Sequence, residues 1–128
     1  MRVAYVYNVG YRYIKNDYNL SAIVGCTNNF DGNSPAKGLI ENTNAFYDFI
    51  DSLYRNFLEL IMENCSSGAL REDNKTLRRF SLQSTSDQEI YINNPSIVMG
   101  SEAIMPPEKS GLWVYPYPSD SIVRENSN

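Results

Sequence analysis

Thr43-Asn44-Ala45-Phe46-Tyr47-Asp48-Phe49-Ile50-Asp51-Ser52-Leu53-Tyr54-Arg55-Asn56-Phe57-Leu58-Glu59-Leu60-Ile61-Met62-Glu63-Asn64-Cys65 is the stretch on which the reading of the chain turns. Phe46, Phe49, Ile50, Leu53, Phe57, Leu60 and Ile61 recur at three- and four-residue spacing, the period of one helix face. The pattern predicts a single long amphipathic helix from Thr43 to Cys65, closed by Ser66-Ser67-Gly68. Tyr47, Tyr54, Leu58 and Met62 form a second apolar strip, wider than one sheet face needs, and this strip is a candidate interface. Asp48, Asp51, Arg55 and Glu59 line the polar side. The acids Asp48, Asp51, Glu59 and Glu63 read as a solvated face rather than a metal or acid–base set, because carboxylate metal sites draw on several facing helices.

Upstream, Ser34-Pro35 has the chemistry of a helix start, a capping hydroxyl followed by a proline at the first helical position, with Gly38 expected to keep that first piece short. Thr27 to Asn33 is dense in turn-formers and reads as a surface loop. Residues 2–9 are a nearly continuous apolar and aromatic run, which predicts a central strand. Tyr11 to Ile14 resumes extended character, Lys15-Asn16-Asp17 carries turn chemistry, and Leu20 to Val24 reads as a returning strand.

Downstream, Thr76 to Gln83 and Glu89 to Asn93 read as two modest strands joined by Ser84-Thr85-Ser86-Asp87. Five of the six prolines fall after residue 94, so the last third is expected to be extended. The fold class expected from these elements is α+β: a small, mostly antiparallel sheet packed against one long helix, with a proline-rich extended C-terminal tail. Residues 1–118 would form one domain and 119–128 a flexible tail.

The size fits one core: 128 residues, 42% apolar, 20% charged and 12% aromatic. There is no histidine, which removes the usual neutral-pH proton carrier and the commonest metal ligand. Cys26 and Cys65 make no Cys-x-x-Cys pair and read as buried small hydrophobes rather than a disulfide. No glycine-rich phosphate loop or calcium loop occurs, so no cofactor or metal is expected. A net charge of −4 argues against a phosphate-backbone partner, so nucleic acid is an unlikely one. No apolar run approaches a membrane span, and the expected location is cytoplasmic.

Three residue groups remain as candidate sites. Tyr5, Tyr7, Tyr11 and Tyr13 alternate along extended segments and could present an aromatic surface to a ring-shaped ligand. Gly10-Tyr11-Arg12-Tyr13-Ile14 resembles the aromatic strand of cold-shock RNA-binding domains. That family's second aromatic strand is absent here, and a long helix has no place in its small barrel. Arg78 and Arg79 are candidate anion contacts, and Arg78-Arg79-Phe80-Ser81-Leu82 has the pattern of a basophilic kinase acceptor. Trp113, Tyr115 and Tyr117, in a proline-stiffened stretch, join the helix strip as candidate interface residues. With no nucleophile or metal motif, the expected function is a non-catalytic protein-interaction domain: a small inhibitor or structural component of phage or mobile-element type, contacting another protein or self-associating as a homo-oligomer. The alternatives are a small-molecule-binding protein or enzyme with a tyrosine-lined pocket and, behind it, single-stranded nucleic-acid binding.

Overall fold

The computed structural model describes residues 2–19 and 34–113. The expected strands at 20–24, the loop at 27–33, Cys26, Tyr115, Tyr117 and the expected tail lie outside the described residues. The elements are α1 (Arg2–Asn8), β1 (Tyr13–Asp17), α2 (Pro35–Asn56), β2 (Ile61–Cys65), α3 (Asn74–Leu77), β3 (Leu82–Ser84), α4 (Asn94–Glu102) and β4 (Ser110–Gly111). Single 3₁₀ turns at Tyr91–Asn93 and Pro107–Lys109 precede α4 and β4.

The four strands form one sheet in the order β1-β2-β3-β4, and every pairing is parallel. This overturns the expected antiparallel sheet. Parallel neighbours need crossover connections, so the chain between strands builds α2, α3 and α4 instead of tight hairpins. Strand order follows chain order throughout, which is the arrangement of a (β/α) barrel rather than of a doubly wound sheet with a reversal point. The fold is α/β.

The expected long helix is two elements. Ser34 caps α2 as its sequence predicts, its Oγ accepting from Lys37 N–H at 3.3 Å with Pro35 in the first turn. Gly38 does not shorten the helix; it is buried within it. At the other end Phe57 leaves helical backbone (φ −136°), its N–H donating to Leu53 O, and Leu60 N–H closes a tight turn onto Phe57 O. The apolar spacing runs through this break because helix, turn and strand bury against one core. Ile50, Leu53, Leu60, Met62 and Phe80 form it, with Val3, Tyr7, Ile14, Phe46, Tyr54 and Phe57 packed around them. Met62 therefore belongs to a strand under the helix, not to a helix strip.

Residues 2–9, expected as a strand, are mostly helix α1. Val3 and Tyr7 lie one turn apart and pack on this core, Tyr7 with its ring centroid 4.8 Å from that of Phe57. Lys15-Asn16-Asp17, read as a turn, completes β1. Of the strand expected over 76–83, only Leu82 and Gln83 extend, in β3. The strand expected at 89–93 is irregular chain and a 3₁₀ turn, and helix α4, with Pro95 in its first turn, interrupts the C-terminal third expected to be extended.

Asp73 starts α3. Its carboxylate accepts from Lys75 N–H (2.8 Å), Thr76 N–H (3.1 Å) and Thr76 Oγ1 (2.7 Å), and Tyr47 Oη donates to it from α2. Burial pushes the Asp73 carboxyl up, but the Thr76, Lys75 and Tyr47 hydrogen bonds outweigh it and hold the carboxyl below its ordinary range. A lowered folded-state pKa gives stability that is present above the unfolded value near 4 and is lost as pH falls through the folded value. Asp73→Ala is expected to lower stability by about 1–2 kcal/mol at pH 7, a gap that narrows below about pH 4; equal urea midpoints for the two proteins at pH 7 would refute this.

Candidate active site

Successive strand residues point to opposite faces, so β1 sends Ile14 toward α2 and turns Tyr13, Lys15 and Asp17 to the other side. Register aligns Lys15 with Glu63, Glu63 with Leu82, Asp17 with Cys65, and Ser84 with Gly111. The face away from α1 and α2 therefore carries the polar residues Tyr13, Lys15, Glu63 and Ser84 beside Ile61 and Leu82. Tyr13 Oη donates a hydrogen bond to Glu63, and Lys15 Nζ lies 3.8 Å from Glu63 Oε1. Burial, the Glu63 hydrogen bond and the Glu63 charge push the Tyr13 hydroxyl up to about 12. It stays a proton donor across the physiological range. Lys15 Nζ also sits 4.0 Å from the centroid of the Trp113 ring.

Parallel strands place their functional groups at their C-terminal ends. Here those ends carry Asp17, Cys65 and Ser84, and the segments leaving them are bound tightly together. Ser67 N–H donates to Asn19 Oδ1 at 2.7 Å, Ser66 Oγ to Tyr18 O at 2.8 Å, and Thr85 N–H to Gly111 O at 2.9 Å. Asn64 Nδ2 donates to Gln83 Oε1 at 2.7 Å, and Gln83 Nε2 to Ser84 O at 2.8 Å, joining β2 to β3 through buried amides. Gly68 has φ +78°, and a Cβ there would lie 2.5 Å from Ser86 Cα. The loops after β2 and β3 thus meet backbone to backbone, one residue before Asp87.

Among the carboxylates on this side, Glu63 is engaged by Tyr13 and Lys15, and Asp73 by the α3 cap. Asp17, Asp87 and Glu89 are exposed, the first closing β1 and the other two three and five residues beyond β3. One strand separates β1 from β3, so the two strand ends stand about 10 Å apart. Asp87 borders an open depression of about 640 Å³ with Ser67, Ser86 and Glu89. Among the described residues no group of three or more Cys, Asp or Glu side chains is placed to hold a metal. No described helix is long and apolar enough to cross a membrane.

The Melibiase family model matches residues 3–128, almost the whole chain. The chain belongs to the Melibiase family. This is a family of glycoside hydrolases on a (β/α) barrel, in keeping with the parallel, sequence-ordered sheet. Membership overturns the expectation of a non-catalytic inhibitor or structural protein of phage type and points to an enzyme. No curated protein and no solved structure matches the chain.

The residues singled out from sequence are scattered. Tyr5 is 71% and Tyr11 65% exposed, Tyr7 packs on Phe57 under the Arg12 guanidinium, and only Tyr13 faces the polar side of the sheet. Tyr47 is buried, Tyr54 Oη lies 3.3 Å from Ser81 Oγ, and Leu58 is 86% exposed in the turn after α2. Arg79 is engaged by Asp51 through Nε (3.0 Å) and Nη2 (3.1 Å), while Arg78 is exposed. Trp113 alone of the aromatic C-terminal stretch is described, and it stands beside Lys15. Asp17 and Asp87 were not singled out. Both sit in polar stretches that read as turns, and their places, Asp17 at the end of β1 and Asp87 on the loop after β3, are visible only once the strands are known.

Proposed function

We propose that this Melibiase-family chain hydrolyses α-galactosides, with Asp17 and Asp87 as its two working carboxylates. The observation that carries the assignment is that Asp17 stands exposed at the C-terminal end of β1 and Asp87 stands exposed on the loop three residues beyond β3, two strands separated by one neighbour. Glycoside hydrolysis needs two carboxyl groups flanking the scissile bond. One protonates the departing oxygen as the bond to the anomeric carbon breaks, the other meets the positive charge that develops on that carbon, and water supplies the hydroxyl that the carbon gains. Asp17 suits the second role. It is part of a strand paired along its length with β2, and a group that must meet one carbon atom needs a rigid mount. Asp87 suits the first. It lies on a loop beside an open depression, where it can reach varied leaving groups. The linked Tyr13, Lys15 and Glu63 side chains lie on the same face of the sheet as Asp17.

The test is hydrolysis of p-nitrophenyl α-D-galactopyranoside by the purified chain. Release of nitrophenol together with one equivalent of galactose is expected. A folded chain that releases neither faster than buffer alone would overturn the reading.

A further inference from the structure

The side of the sheet that faces α2 is apolar at Ile14 and Met62 and turns polar two residues further along. There Asn16 of β1 stands in register with Asn64 of β2, and Asn64 with Gln83 of β3. Partners in a parallel ladder turn their side chains to the same face, so three amides lie side by side across three strands. Asn64 and Gln83 are fully buried. The rung between them is made: Asn64 Nδ2 donates to Gln83 Oε1 at 2.7 Å and to Arg71 O at 3.1 Å, which uses both of its N–H groups. That fixes the orientation of the Asn64 amide. With its nitrogen turned to β3, its Oδ1 turns away from β3, toward β1. This oxygen is buried and unpaired among the described residues, and so is Asn16 Nδ2 on the neighbouring strand. One is an acceptor without a donor and the other a donor without an acceptor, in register across one strand spacing of about 5 Å. Buried amide groups are ordinarily paired, and each of these is the partner the other lacks.

We infer that Asn16, Asn64 and Gln83 form one amide ladder across β1, β2 and β3, closed by Asn16 Nδ2 donating to Asn64 Oδ1 directly or across one buried water, and that Asn16 is thereby a positioning residue for Asp17. The inference rests on the glycosidase reading and deepens it. Asp17 follows Asn16 in the chain, and β1 is an edge of the four-stranded sheet, so the side-chain tie secures a strand end that β2 alone holds within that sheet. At the other end of the ladder Gln83 Nε2 donates to Ser84 O at 2.8 Å, where the chain leaves β3 toward Asp87. The ladder therefore runs from the residue before one carboxylate to the base of the loop that carries the other. It sets the spacing of the pair without touching substrate. Misplacing a reacting group by about 1 Å costs on the order of 10²-fold in rate, and that is the scale of what the ladder protects.

Asn16→Leu keeps the size of the side chain and removes the donor. It is expected to lower kcat on p-nitrophenyl α-galactoside by about 10- to 100-fold with KM held within about 2-fold, because no contact to substrate is lost. Gln83→Leu breaks the ladder from β3 and is expected to do the same. The two residues stand about 10 Å apart with β2 between them, so independent effects would multiply. Coupled through Asn64, the double variant should lose no more than the worse single one. Multiplied losses, or an unaltered kcat in folded Asn16→Leu, overturn the inference. Should Asn16→Leu fail to fold, Asn16→Asp keeps the shape, removes only the donor, and is read the same way. The ladder also has a readout that needs no turnover. The side-chain amide protons of Asn16, assigned by nuclear magnetic resonance from their absence in the variant, should exchange with water at least about 10-fold more slowly than those of exposed Asn74. The two readings fail separately. Hydrolysis by a chain whose Asn16 amide exchanges as fast as that of Asn74 keeps the glycosidase and removes the ladder, whereas a protected Asn16 amide in a chain that hydrolyses nothing removes the glycosidase and the positioning role with it.

Discussion

Asp17→Asn is expected to lower kcat on p-nitrophenyl α-galactoside by about 10³-fold or more, with the melting temperature held within about 2 °C. The amide keeps the shape of the side chain but removes the negative charge that must meet the anomeric carbon. Asp17 is exposed at the end of β1, so its loss should cost the fold little. Asp87→Asn is expected to behave differently. Nitrophenolate departs without a proton, so loss of the acid should cost roughly 10- to 100-fold on that substrate and about 10³-fold on a methyl galactoside, whose leaving group needs protonation. Comparing the two substrates for each variant tests the division of roles. Equal losses on both substrates for Asp87→Asn would remove it from the acid's role, and an active Asp17→Asn would remove Asp17 from the site.

Gly68→Ala is expected to destabilise the chain by about 2–4 kcal/mol, combining a positive-φ backbone that L-residues resist with the cost of forcing a methyl into packed backbone. The new carbon would lie 2.5 Å from Ser86 Cα and 2.8 Å from Ser86 N. No rotamer relieves contacts made by Cβ itself, so the loop after β2 or the loop after β3 must move. The melting temperature should fall by roughly 10 °C. Because Ser86 precedes Asp87, whatever folded protein remains should also lose activity on substrates that need the acid. A variant that melts normally would show that the two loops separate freely in solution.

These residues also show what the sequence conceals. The cap at Ser34-Pro35 was legible because capping is local chemistry, and the periodicity of Phe46 to Leu53 was legible because one helix face meets one core. The end of α2 was not. No glycine or proline marks residues 57–60, and the apolar spacing carries on into β2. A buried parallel strand usually reads as an apolar run, but β2 reads Ile-Met-Glu-Asn-Cys. Its Glu63 is engaged by Tyr13 and Lys15, and the Asn64 amide nitrogen donates to Gln83 and to Arg71 O, all partners outside the strand itself. β1 is disguised in the same way by Lys15-Asn16-Asp17. Strands that carry polar site residues on their inner face lose the very hydrophobicity that would announce them, which hid the candidate carboxylates along with the sheet.

Parallel pairing also governs how this site comes into being. Asn64 and Gln83 are 19 residues apart, whereas Ser67 and Asn19, whose bond fastens β1's exit to β2's, are 48 apart. Closing the longer loop forfeits more chain entropy before any contact rewards it. The β2–β3 pair is thus the natural nucleus, and β1 joins a ribbon already made. On loop length alone, the strand that carries Asp17 is expected to join after the β2–β3 pair has formed.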